Sequence, residues 1–425
     1  MTASTTSAAP TASAASAALE PMSLKIPLTG VVALLLQGLM ALGARGSTTF
    51  NLTASSDLFR LGAPTLNARL VILVAAGVVA AATAVAFDRA RRRSRIPTWT
   101  TVLIGVGFVI AFLAWAGAGR NGVIPLVTIL SSALGLSVPL VYGSLAGIIG
   151  ERSGTINIAI EGQLLGGAFL GAVVASACSS PWVGLVAAPV AGVLVALLLA
   201  LFGLRYRVNQ IVVGVVLNVL VSGLTGFLFS TFLSSSPSLN QALRLPTLAV
   251  PVLSRIPLIG PVLFQQTILV YLMYIVVAIL SFMLFRSRWG LRLRACGEHP
   301  KAADTVGIKV MRTRVANLAL AGALAGMGGA FFTVGSGLSF DNDMTAGNGY
   351  IALAAMILGA WRPLGSLGAA LLFGFATSVA QTLPVIGSSV SPDIISMIPY
   401  IVTILAVAGF VGKVRAPAAE GVPYP

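Results

Sequence analysis

Asn157, Glu161, Gln210, Asn218 and Asn317 are candidate functional side chains inside long apolar runs of this 425-residue chain. Amides and a lone carboxylate suit the passage of a polar solute, or the joining of helices, better than they suit bond chemistry. Glu161 is the most informative, because a carboxylate in an apolar span is costly unless it is paired or faces the bundle interior. Asn157 and Glu161 are four residues apart, which on a helix places them on one face, and Arg152 is the nearest candidate partner. Glu161 reads equally as a structural clamp at the positive end of a helix. Gln210 and Asn218, eight apart, share a face that either lines a polar route or glues helices, and Asn317 reads as glue. A further cluster, Asp341, Asn342 and Asp343, precedes a glycine-broken segment start at an outer mouth. Its acids are either ordinary loop residues or receivers of a partner domain or polar solute.

Catalytic constellations are missing. The single histidine, His299, lies beside Glu298 in a polar loop, and no paired carboxylates converge. Two cysteines, Cys178 and Cys296, supply neither a disulfide framework nor a metal site. No GxxxxGK[ST] phosphate loop occurs, so any ATP that drives this chain is hydrolysed on another. The expectation is a non-enzyme with no cofactor of its own.

These residues must be positioned by membrane-crossing helices. Hydrophobic residues make up 57% and charged residues 9% of the chain, with mean hydropathy +0.97, far below the ~25% charged share of a soluble domain. The net charge of +15 does not point to nucleic acid, because the basic residues sit at segment ends rather than along one face. Apolar runs near 24–43, 70–87, 99–116, 123–149, 156–178, 182–204, 208–233, 268–285, 315–335, 350–360, 364–383 and 394–411 predict an all-α polytopic transmembrane bundle. It has about ten to twelve crossings, with broken helices. The 350–360 run is too short for a full crossing and reads as half of a broken or re-entrant element. Residues 1–22 form an Ala/Ser/Thr-rich tail expected to be disordered. The arginine cluster at Asp88–Arg95, the loop at Arg286–Arg314, Arg362 and the 413–425 tail all fall on one side, which places both termini in the cytoplasm of a cell-membrane protein. Pairs such as Gly167 and Gly171, or Gly322 and Gly326, mark faces that pack closely in lipid.

The Arg286–Arg314 loop carries a Pro300-initiated stretch, KAADTVGI, that predicts a short helix outside the membrane. Ala302, Ala303 and Val306 form its small face, and Lys301, Asp304 and Lys309 its polar rim. Either that face docks in a partner's groove, or the stretch is only a solvated positive-inside loop.

Four blocks carry a family resemblance: GERSGTINIAIEG from Gly150, NQIVVGVVLNVL from Asn209, WGLRLRACGEHPKAADTVGIKV from Trp289 and MTAGNGYIALAAMILGAWRPLGSLGAALLFG from Met344. In this order they resemble the permease subunits of bacterial ABC importers of the ribose and branched-chain amino acid superfamily, nearest the purine nucleoside and simple sugar branch. The resemblance implies a second homologous permease, ATPase subunits that hold ATP and Mg, and an extracellular solute-binding lipoprotein. It also implies that Glu298–Ile308, including Pro300, Lys301, Ala302, Ala303, Asp304 and Gly307, is the cytoplasmic coupling helix. The permease domain is then 123–412, and residues 23–122 are additional N-terminal segments. The competing class is an ion-coupled secondary transporter in which Glu161 titrates; branched-chain amino acids stay open as substrate.

Overall fold

The computed structural model describes residues 24–53, 62–119, 123–241, 243–387, 395, 397, 399–401 and 416–424. The expected disordered tail and most of the expected 394–411 span lie outside the described residues. The chain divides into two compact units, Met1–Thr48 with Leu66–Asn121, and Thr49–Thr65 with Gly122–Pro425.

The first unit holds three apolar helices long enough to cross a bilayer, α1 (Lys25–Gly43), α2 (Ala68–Arg91) and α3 (Thr98–Ala116). Asn67 caps α2 by accepting from the Leu70 amide. Gln37 is fully buried among the three helices and donates to the Gly107 carbonyl at 3.0 Å.

The second unit begins with α4 (Leu126–Arg152), α5 (Ile160–Ala177), α6 (Pro181–Ala200, continued by a π turn over Leu201–Arg205) and α7 (Gln210–Leu228). It goes on with the short α8 (Ile259–Leu263), α9 (Ile268–Arg286), α10 (Arg288–Glu298), α11 (Pro300–Thr305) and α12 (Val310–Gly329). The last described helices are α13 (Asn348–Leu358) and α14 (Pro363–Val385). Proline starts α6, α11 and α14, where its missing N–H costs nothing, and Asn209 caps α7 through the Ile211 and Val212 amides. Among the described residues ten helices are long and apolar enough to cross a bilayer, an all-α membrane bundle. The expected 350–360 half-element is α13, with 11 residues.

α4, α5 and α12 are the most buried spans, while α7 and α9 turn large apolar side chains outward, as lipid requires. The centre is held by backbone-to-backbone packing. A Cβ at Gly322 of α12 would lie 2.3 Å from the Gly192 carbonyl oxygen of α6, and one at Gly167 of α5 would lie 2.3 Å from the Gly326 carbonyl oxygen. Apolar contact gives helices little reason to associate inside lipid, so van der Waals packing at such faces carries the bundle. Gly322→Val should therefore cost about 3 kcal/mol by overpacking, seen as a lowered melting temperature of the detergent-solubilised protein; an unchanged transition would contradict this packing.

Candidate functional site

Glu161 stands in the first turn of α5, and its carboxylate closes the start of α13. Oε1 accepts from the Thr345 hydroxyl at 2.7 Å and the Gly347 amide at 2.8 Å, while Oε2 accepts from the Gly349 amide at 2.6 Å. α13 has no side-chain cap of its own, so its orphan N–H groups and positive end are met by a charge from another helix. Gly349 is required for this approach, since a Cβ there would lie 2.5 Å from the Glu161 nitrogen. The 11 residues of α13 rise about 16 Å, half of a ~30 Å hydrocarbon core, so α13 is too short to cross by itself. At its other end, the Trp361 indole donates to Glu151 Oε2 at 2.5 Å and the Trp361 carbonyl accepts from Arg152 Nε at 2.7 Å. Arg152, lying over the Phe285 ring, thus belongs to that end and is not the partner of Glu161 that the sequence indicated.

Between α4 and α5, residues 153–159 leave the helix. Irregular backbone at membrane depth needs polar partners, and α7 provides them. Gln210 Oε1 accepts from the Ile156 amide at 2.8 Å. Asn218 Oδ1 accepts from the Gly162 amide at 2.8 Å, and its Nδ2 donates to the Ile158 carbonyl at 3.0 Å and the Tyr350 hydroxyl at 3.1 Å. The shared face of Gln210 and Asn218 is therefore turned to the break. Asn157 does not share a helix face with Glu161, because α5 begins only at Ile160 and the four-residue rule holds within a helix. It pairs instead with Gln163, amide to amide in both directions at 3.1 and 3.2 Å, both fully buried. Asn317 donates to the Thr313 carbonyl of its own helix at 2.8 Å and makes no hydrogen bond to the break. Two buried donors beside the break have no partner: Gln210 Nε2 and Thr155 Oγ1.

Gln163, Thr345 and Tyr350 escaped the sequence-based reading. Gln163 had a signal, a buried-type amide inside an apolar run; Thr345 had a weaker one, a hydroxyl two residues before a glycine-marked helix start. Asp343 accepts from the Ser222 hydroxyl of α7 at 2.5 Å, so the acidic cluster is joined to the same helix as the break. A separate cavity of about 330 Å³ opens at the start of α4, beside Thr128, Ser131, Arg244 and Gln266. It lies at the opposite end of α4 from the break.

The polar loop after α9 folds as two helices. α10 is capped by Ser287 through the Gly290 amide at 3.1 Å, and α11 starts at Pro300. Lys301, Ala302, Asp304 and Gly307 are exposed, as is Val306, at 75%. Ala303 is turned inward onto Cys296 and Val310, which corrects its placement on the outward small face: one turn of helix cannot present both adjacent alanines to the same side.

Comparison with known proteins agrees with this architecture. Residues 129–407 match the family described as branched-chain amino acid transport system / permease component. The chain belongs to this permease family. It is 37% identical over 309 residues to the guanosine ABC transporter permease protein NupQ of Bacillus subtilis, covering 70% of this chain and 96% of the relative. It is 38% identical over 314 residues to the nucleoside ABC transporter permease protein NupC of Lactococcus lactis, covering 72% and 98%. The putative glucose ABC transporter permease protein TsgC13 of Haloferax volcanii is 30% identical over 298 residues, covering 65% and 89%. No solved structure matches the chain. The permease is thus a multi-pass membrane subunit of an ABC importer, a transport component that works with ATPase and solute-binding chains.

Replacing Glu161 by Gln leaves one acceptor oxygen for three donors and sets an amide N–H₂ against the Gly349 or Gly347 N–H. Thermal unfolding should show a loss of about 1–3 kcal/mol, accompanied by reduced uptake. Unaltered melting and uptake would remove Glu161 from the machinery.

Proposed function

We propose that this permease passes a neutral polar solute, most closely a nucleoside, through the break between α4 and α5. The observation that carries this is the chemistry of the break: amides, hydroxyls and two unpartnered buried donors, Thr155 Oγ1 and Gln210 Nε2, with no basic side chain in α5, α7 or α13, while the buried Arg314 beside Gly154 is engaged by the carbonyls of Val422, Ala419 and Cys296. Hydroxyl-rich and heteroaromatic solutes offer acceptors to such donors, whereas an anionic solute would require a buried cation. The names of the two relatives at 37% and 38% identity, guanosine and nucleoside permeases, support the same class; a simple sugar is the second reading, supported by the glucose-named relative. An ion-coupled mechanism fits less well, because three protein donors already occupy most of the acceptor sites of the Glu161 carboxylate.

In this proposal a second homologous permease completes the pathway, a lipoprotein delivers solute outside, and α11 docks on an ATPase that holds ATP and Mg. Both termini lie in the cytoplasm. The exposed Lys301, Ala302 and Val306 supply the docking surface, where an inserted charge costs desolvation across the contact. Ala302→Asp is expected to release the ATPase during co-purification while membrane insertion is retained.

Transport assays on vesicles containing the complete complex, loaded with ATP, test the substrate class. Labelled guanosine or adenosine should enter in competition with each other, resist a protonophore and stop when ATP is withheld. Preferential uptake of leucine, or uptake abolished by the protonophore with ATP present, would overturn the proposal.

A further inference from the structure

The segment Ala416–Tyr424 returns to the body of the second unit and binds two functional regions at once. Toward the α10–α11 loop, the Ala419 amide donates to the Gly297 carbonyl at 2.8 Å and the Ala418 amide to Glu298 Oε2 at 3.3 Å. Tyr424 packs against the cluster of Cys296, Ala303 and Val310. Toward the break, the Gly421 amide donates to the Gly154 carbonyl at 3.2 Å.

Arg314 joins the pieces. It is fully buried at the start of α12, at 0% exposure, and among the described residues no carboxylate lies within ion-pair distance of it. Its guanidinium donates to the carbonyls of Val422 (2.9 Å), Ala419 (3.4 Å) and Cys296 (3.4 Å), so two of its three acceptors belong to this segment. Gly154 lies directly against the same guanidinium, where a Cβ would be 2.5 Å from Nη2. A buried cation stripped of its acceptors is strongly unfavourable, so the segment cannot leave without disturbing α12, the loop and the break together. Loop and break also touch directly, where a Cβ on Gly297 would meet the Arg152 carbonyl oxygen at 2.2 Å. The segment closes the other side of that contact.

We infer that Ala416–Tyr424 is a transmission strap: it fastens the ATPase-facing α10–α11 loop to the Gly154–Ile156 end of the break, so that displacement of the loop moves the break. This rests on the proposed docking of α11 on an ATPase. Hydrogen bonds and packing held on both sides by one short backbone give the loop a stiff path to the break. The exposed face of α11 is left free for the partner.

The test uses the complete transporter, with ATP hydrolysis and nucleoside uptake measured in the same vesicles. Two variants loosen the strap: deletion from Ala416 onward, and Gly421→Val, which forces a β-branched residue into φ +69° and drives its Cβ to within 2.6 Å of Ile156 Cδ1. Both should keep the ATPase bound and hydrolysing, while solute moved per ATP falls about tenfold, a usual size for coupling between sites. Normal transport per ATP in both variants would overturn the strap. If neither variant assembles, amide exchange on the unaltered complex decides. Ala419 and Gly421 amides should exchange slowly and change protection together with residues 154–162 when nucleotide is trapped by vanadate; free exchange, or a change in the break without one in the strap, overturns the inference. Failure of the unaltered chain to bind an ATPase would instead sink the proposed function.

Discussion

A hydrogen-bonding obligation in a solvent that offers no hydrogen bonds governs this fold. In the hydrocarbon core every backbone amide must find a partner within the protein, yet the second unit interrupts two of its crossings, before α5 and before α13. Gln210 and Asn218 meet the cost before α5, and the Glu161 carboxylate, carried on the first turn of α5, meets it at the start of α13. Charge and geometry cooperate there, because the start of α13 presents orphan N–H groups and the positive end of its dipole to one anion.

The rest of the second unit follows from that clamp. Holding Glu161 against Gly349 requires α4, α5 and α13 to approach closely, which small residues permit: Gly143 meets Ala352, and Gly147 meets Met356. Behind them α5, α6 and α12 stack through glycine faces. α7 then contributes Gln210 and Asn218 to the break and Ser222 to Asp343, so one lipid-facing helix stitches this non-helical backbone in place.

Much of this was legible in the sequence, for physical reasons. Apolar length identified the spans, and the 350–360 run, too short for a full crossing and read as half of a broken or re-entrant element, is the short helix α13. The cost of a buried carboxylate singled out Glu161, and the clamp is one of the two roles its position allowed. Other features were hidden by the same kind of rule. Spacing arguments assume a continuous helix, so Asn157 was placed on a face that does not exist, while its true partner Gln163 passed as one more residue of an apolar span. The inward turn of Ala303 depends on Cys296 and Val310, neither of which is its helical neighbour. The docking of Ala416–Tyr424 onto Arg314 joins positions more than a hundred residues apart through carbonyl groups, and backbone acceptors leave no mark on side-chain identity.

The clamp itself is most directly tested by a double-mutant cycle between Glu161→Gln and Thr345→Val, read as unfolding free energy of the solubilised protein. Thr345 Oγ1 donates to Glu161 Oε1 at 2.7 Å, so the two changes should be non-additive by about 1 kcal/mol or more, as expected for groups in one buried network. Strict additivity, with each change costing the same whether or not the other is present, would mean that the carboxylate does not hold α13 and that the half-helix is fixed by something else.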